Sequence, residues 1–459
     1  MCGFSSSFAL LLSGRAIQGL GCGGINALTE TLITDLVPLR ERGKYFSIIS
    51  AVWAIGSVSG PVVGGAFAQH QAWRWLFWIN VPIAGIGFVG IITFLNLKKR
   101  KGSLRDKITE IDYLGSLIFI VSLTSFLVPV AWGGVLYPWG SWKTLVPLIL
   151  GAFGLVGFCL YEHKLAKHTL LPMRLFYDRS TSICYFTDFI HGIILWTILY
   201  FLPLYFEGVK GYTFVIAGVA ALPQTVTVIP CAAMAGVIAA VTGHYRWALW
   251  AGWALTAFGC GLMCLLGVNT TVAQWIFING VSGIGMGLLF PSMQLGIQAS
   301  VPQEDIAIAA ALFTFFRGCG ETVGVAIGGV IFQNRIAVEL KKFPDLAAVA
   351  KQYSLNVVAI IKTISSLPSN QPQALHAKEG FGASLQVVWV VMCALAGIAL
   401  IATCFVKSYA LDQALKAEQG FRERPLKGRE FLESDIQNSR VDKNNSSFSS
   451  DEKEAMERI

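Results

Sequence analysis

Residues Gly14–Gly24 read GRAIQGLGCGG, an arginine and a row of glycines inside one long apolar segment. The pattern recurs. A shift of 264 residues lays Gly19, Gly21 and Gly23 on Gly283, Gly285 and Gly287, and Val37-Pro38 on Val301-Pro302. The same shift carries Gly56, Gly60 and Gly64-Gly65 onto Gly320, Gly324 and Gly328-Gly329 without a gap. A spacing held across two helices and their loop is an internal repeat, and repeated halves with a site between them mark secondary transporters.

Composition agrees. Of 459 residues, 54% are hydrophobic and only 14% are charged, against about 25% charged in a soluble domain. The charges gather between apolar runs of roughly 20 residues, the length that crosses a bilayer core. The fold class is an all-α polytopic membrane protein. Eleven spans are predicted, near 8–34, 45–68, 75–97, 113–132, 143–161, 181–205, 213–240, 246–266, 273–298, 306–332 and 383–406.

Lys and Arg orient these spans, because cytoplasmic loops carry the excess of them. Arg40, Arg42 and Lys44, the run Lys98–Lys107, then Lys164, Lys167, Arg174, Arg179 and Arg246 fall on one side. The opposite short loops hold Arg74, Lys143 and Lys210. The tail after Lys407 is therefore predicted cytoplasmic and the residues before Phe8 external. The long loop at 333–382 is expected outside, with a surface helix within Leu340–Ile361, and the polar tail beyond about residue 430 has the composition of a disordered segment.

The net charge of +8 lies beside span ends and in the tail, so it is no nucleic-acid signal. The ten cysteines form no CxxC pair, which argues for buried packing rather than a disulfide framework or a zinc site. GLGCGG matches the G-x-G-x-x-G dinucleotide fingerprint, but that fingerprint needs a strand before it and a soluble βαβ unit around it. No nucleophile–base set, metal cluster or cofactor motif speaks for an enzyme.

Arg15 opens the list of candidate residues. An arginine inside a span costs several kcal/mol unless it meets a polar interior or a partner. It shares a helical face with Gln18 and Gly19, a face expected to look into the protein; the alternative is an arginine snorkelling to the outer interface. Gly56, Gly60 and Gly64 recur every four residues and form a groove for a neighbouring helix, and Pro61 should bend that span. The groove is either a moving seam or static packing. Asp188 and His191 lie three apart on the sixth span: a proton relay, or a cytoplasmic-end pair in contact with water. Glu30 reads as structural near the inner end of its span. Arg317 and Glu321, four apart, can neutralise one another. Gln18, Trp53, Trp196, Tyr200 and Gln224 are substrate-path candidates; the aromatic ones are otherwise packing or interface residues.

LLSGRAIQGLGCGG, DLVPLRERGKY, GSVSGPVVGG and WRWLFWINVPIAG resemble the fourth to sixth helices of the fungal fourteen-helix drug:proton antiporters of the major facilitator superfamily. LPMRLF and PLYFEGVKGYTFVIAGVAALP resemble later segments, so the resemblance covers residues 1–407. It implies two pseudo-symmetric six-helix bundles joined by two extra helices: residues 1–97 for the first bundle, 98–180 for the cytoplasmic linker and extra helices, 181–407 for the second bundle, and 408–459 for the tail. It also implies proton-driven export of small amphipathic molecules by a monomer without a cofactor, in the plasma or vacuolar membrane. Arg15 matches the family arginine associated with proton transfer, and Gly56, Gly60, Pro61, Gly64 and Gly65 match the antiporter motif. Glu321 joins Arg15, Asp188 and His191 as a proton-coupling candidate. One departure stands out: GVIAAVTGHYR, from Gly236, has Ala240 and Val241 where the family's loop motif carries a charged pair.

The repeat carries a second expectation. Spans at 181–265 precede the second copy, and the first copy has no counterpart of them. Roughly 80–100 residues are therefore expected to be missing ahead of Met1, leaving the first bundle incomplete, whether as a fragment or as a natural truncation. Efflux is the leading reading. An uptake symporter and a truncated non-transporting paralogue or regulatory protein are its alternatives.

Overall fold

The computed structural model describes residues 1–70, 72–95, 111–134, 136–166, 169–357, 360–361, 364 and 371–411. The basic run Lys98–Lys107 and the tail beyond about residue 430 lie outside the described residues, as does the side chain of Pro61. The chain runs through α1 (Phe8–Leu36), α2 (Leu39–Gln69), α3 (Trp75–Trp78), α4 (Asn80–Phe94), α5 (Tyr113–Trp132), α6 (Trp142–Lys164) and α7 (Arg179–Gly208). It continues through α8 (Phe214–Ala220), α9 (Leu222–Thr242), α10 (Arg246–Met263), α11 (Val272–Ser300), α12 (Ile306–Leu340), α13 (Ala350–Leu355) and α14 (Pro372–Thr403). This is an all-α polytopic membrane fold.

Among the described residues, ten helical stretches are long and apolar enough to cross a membrane. They coincide with ten of the predicted spans, α8 and α9 together forming one. The eleventh, at 246–266, is α10, whose arginine and three tryptophans lower its mean hydropathy; it packs between α11 and α14. Within the stretch predicted as a surface helix, α12 ends at Leu340, Ala350–Leu355 forms a short helix, and residues 358–359 lie outside the described residues.

Local chemistry sets the helix ends. Asp112 caps α5 through the Gly115 amide at 2.8 Å, and Thr271 with Gln274 forms a capping box on α11. Gly243, at φ +71°, ends α9 in the left-handed conformation that favours glycine. Packing then divides the helices. α7 and α11 are the most enclosed, while no residue in the apolar window of α4 is buried. α5 pairs with α6, and α5 also touches α12.

The two copies of the repeat are α1–α2 and α11–α12, and they meet crosswise: α1 lies on α12, and α2 lies on α11 and α9. Glycines permit the approach of α2 to α9 and to α8. A Cβ on Gly236 would stand 2.2 Å from the Gly43 carbonyl oxygen, and one on Gly65 would stand 3.1 Å from the Phe214 carbonyl carbon. All ten cysteines are free, but Cys22, Cys159 and Cys404 are exposed rather than packed, because they lie on helix faces that meet no neighbour.

Candidate functional site: a cavity on the repeat axis

Helices α1, α2, α7, α9, α11 and α12 line a cavity of about 550 Å³. Its wall repeats the sequence symmetry. Asn26 and Phe290, Ile49 and Phe313, Ser50 and Thr314, and Trp53 and Arg317 are repeat mates, and both members of each pair line it. The cavity thus straddles the pseudo-two-fold axis that relates the copies.

Two of its charged residues, Arg317 and Glu321, sit where α12 comes close to α7. Gly192 and Gly320 make that approach possible: a Cβ on the first would stand 2.5 Å from the Arg317 carbonyl oxygen, and one on the second 2.1 Å from the Phe189 carbonyl oxygen. Opposite Asp188, the α12 helix therefore presents Arg317 and Glu321. The guanidinium of Arg317 lies 4.4 Å from the Phe290 ring centroid and 5.7 Å from that of Trp53. Its Nε donates to Glu321 Oε1 at 3.4 Å, which makes the expected neutralising pair. Asp188 is fully buried. Neither of its carboxylate oxygens finds a hydrogen-bond partner among the described residues, and the charges that act on it are Arg317, Glu321 and Glu30. His191 lines the cavity, with its ring edge-on to Trp253 at 6.4 Å. Asp188 is 0% and His191 1% exposed.

Glu30 is the residue that sequence reasoning undervalued. It is buried, lines the cavity and accepts a hydrogen bond from Nε2 of Gln294. The two are repeat mates, 264 residues apart. One turn further along both helices, Thr34 and Gln298 are mates as well, and Arg42 joins them. Its guanidinium donates to the Thr34 carbonyl at 2.7 Å, to Gln298 Oε1 at 2.9 Å and to the Val37 carbonyl at 2.8 Å. These contacts close the cavity toward Val37. Beside them, Arg40 donates to the carbonyls of Ala240 at 2.9 Å and Val241 at 3.0 Å. The carbonyls ending α9 thus take the arginine at the very positions where the charged pair of the resembled motif is lacking.

Other candidates lie elsewhere. Arg15 and Gln18 are exposed and hydrogen-bonded to each other at 3.0 Å; their face does not look into the protein, because α1 packs on α12 through its later turns. A Cβ on Gly56 or Gly60 would meet nothing within 4 Å, and one on Gly64 would meet only Leu76 at 3.8 Å. The expected helix groove along α2 is therefore open here, apart from the close approach at Gly65. Its second-half copy does the packing: Gly320 and Gly324 seat α12 on α7. Trp53 lines the cavity. Trp196 and Tyr200 stack on each other at 5.7 Å away from it, and Gln224 is buried at a separate small void beside Ser57 and Pro203.

A helical membrane protein whose duplicated segments meet around one central cavity is, by class, a secondary transporter. Residues 1–325 match the family model described as Major Facilitator Superfamily, and the chain belongs to that superfamily, whose members are transporters rather than enzymes. It is 48% identical over 420 residues to MFS transporter L2 of Phoma sp., covering 92% of this chain and 70% of the relative. Efflux pump FUS6 of Gibberella fujikuroi is 36% identical over 430 residues, 92% of this chain and 77% of that protein. MFS-type efflux pump LUC4 of Fusarium sp. is 35% identical over 431 residues, 92% and 76%.

Proposed function

We propose that this chain exports small amphipathic compounds in exchange for protons. The observation that carries the reading is the axial cavity. Its volume lies within the roughly 300–1,000 Å³ typical of small-molecule sites, and its wall combines the apolar surfaces of Ile48, Val52, Phe290 and Phe313 with a few polar groups. Two relatives carry efflux pump in their names, and a third is named for a biosynthesis cluster, that of acurin A; small secondary metabolites are the corresponding cargo here.

Alternating access needs two rigid parts that rock about a fixed site. Residues 1–97 and 181–407 serve as those parts, with 98–180 as the connector. His191 and Glu321 at the cavity, with the buried Asp188 one turn from His191 on α7, are the groups through which a proton load changes its charge, while Arg15 acts at the outer end of α1. The plasma membrane is the proposed location, with the tail after Lys407 in the cytoplasm. The test is export of rhodamine 6G from yeast cells expressing the chain, with and without a protonophore. Gradient-dependent loss of dye is the expected result. Export that continues unchanged after the gradient collapses overturns proton coupling.

A further inference from the structure

We propose that Glu30 is the proton-sensitive latch of the transport cycle, with Gln294 as its positioning partner across the repeat axis. The inference rests on the proton-exchange reading above and goes beyond it by naming the group whose protonation moves the two copies apart.

Glu30 is borne by the first copy and Gln294 by the second, so their hydrogen bond crosses the boundary along which the copies must separate. The bond lies at the bottom of the cavity, one turn above the Arg42–Gln298 contact that closes the same end. A carboxylate accepting from an amide N–H makes a charge-assisted bond, roughly twice as strong as a neutral one. Oε1 of Gln294 is buried without a hydrogen-bond partner among the described residues, so a turned amide has an acceptor ready for a protonated Glu30, at the lower strength of a neutral pair. Ionised Glu30 therefore holds the Val37 end shut, and protonated Glu30 loosens it.

The groups facing Glu30 set the direction. Arg317 and Glu321 face it from α12, Asp188 and His191 from α7, and Arg42 from α2, with Asp35 on its own helix; α11 contributes no charge, only the amide. Arg317 is already engaged by Glu321, and Arg42 by Gln298 and two carbonyls. Among the described residues, Glu30 thus has no ion pair that would fix its charge through the cycle. Protons arriving from the far end of the cavity load it and release the latch; the opened Val37 end then gives up the proton, admits cargo, and closes on the ionised residue. Protons and cargo move in opposite directions.

The experiment is pulsed electron spin–spin distance measurement on the full chain in nanodiscs, with exposed Cys22, Cys159 and Cys404 changed to serine and labels at Glu41 and His244, which flank the seam. Wild type is expected to show a short and a long population whose ratio changes about tenfold between about pH 8 and pH 5. Glu30→Gln, which mimics the protonated state, should hold the long population at every pH. The swap E30Q with Q294E, which moves the carboxylate across the axis without altering its site, should restore the titration. A wild-type ratio that ignores pH, or an E30Q variant that still titrates, overturns the assignment; so does a titration that survives in E30Q and vanishes in Asp188→Asn. Rhodamine 6G export by the same wild-type protein separates the two ideas. Export indifferent to the proton gradient counts against the exchange reading alone, since the latch is judged by the distances.

Discussion

Trp53 and Arg317 occupy the same place in the two copies of the repeat, and they touch: the guanidinium lies 5.7 Å from the indole centroid across the axis of the cavity. With Phe290 at 4.4 Å on its other contact, Arg317 is held by two aromatic faces and by Glu321. A partly desolvated cation over an aromatic ring gains about 0.5–2 kcal/mol. Trp53→Ala removes one face and widens the cavity, so the KM for rhodamine 6G export should rise about 3- to 30-fold with kcat less affected, while Trp53→Phe should recover most of the loss. An unchanged KM in Trp53→Ala would remove this residue from the cargo path.

Glycines in crowded and in open surroundings should respond in opposite ways. A Cβ on Gly236 would stand 2.2 Å from both the Gly43 carbonyl oxygen and Ser47 Oγ. Gly236→Val is therefore expected to lower stability by about 1–3 kcal/mol through overpacking, seen as a lower Tm of the detergent-solubilised protein. Gly56 and Gly60 meet open space. Alanine there should leave the Tm unchanged or raise it, since glycine inside a helix costs about 0.5–1 kcal/mol relative to alanine. If Gly60→Ala keeps its Tm but loses export, the α2 glycines work in a conformation other than this one. A lowered Tm would contradict the open geometry.

The fold was legible because bilayer thickness imposes a length on every span, and the gapless repeat tied two pairs of helices together. The span at 246–266 shows that a helix packed between two others can carry an arginine and three tryptophans in place of a more apolar composition. The site was legible only in part. Asp188 and Arg317 announce themselves by being ionisable within apolar runs, but which face of a long apolar helix turns inward leaves little trace in hydropathy, so the exposed setting of Arg15 and Gln18 on α1 has no signature in the sequence. Glu30 was undervalued because a carboxylate near a span end has an ordinary explanation in water. The repeat held the missing signal: residues that lie on a two-fold axis contact their own counterparts, so Glu30 points to Gln294 and Thr34 to Gln298. The one-sided use of the glycine motif, packed in α12 and open in α2, depends on neighbours that periodicity cannot name.

Arg42 tests whether the seam depends on shape as well as charge. Its planar fork serves the Thr34 and Val37 carbonyls and Gln298 together, and the residue is 2% exposed. A lysine keeps the charge but cannot span three acceptors in that plane. Arg42→Lys should strand at least one buried acceptor, at about 1–3 kcal/mol, and shift the label distances across the seam toward the long population even at high pH. A lysine variant with wild-type distances would show that any cation at this position closes the end.

Asp178 makes a pH prediction outside the spans. Burial alone would raise its carboxyl, but the amides of Ser180 and Thr181, the Thr181 hydroxyl and the Tyr409 hydroxyl at 2.8 Å hold it below the usual aspartate value of 3.8. Its folded-state value therefore lies below its unfolded one. The contribution to stability is full above the unfolded value and is lost as pH falls through the folded one. At pH 7, Asp178→Asn should cost about 1 kcal/mol as a weakened helix cap, and it should loosen the segment after α14, which Tyr409 fastens to the start of α7. The Tm gap between wild type and variant should close as pH falls below about 4. Tyr409→Phe removes one of the four bonds and should show a smaller gap with the same pH course. A gap that persists unchanged at low pH would mean that asparagine fails here through packing, and that the carboxylate charge contributes nothing to the junction.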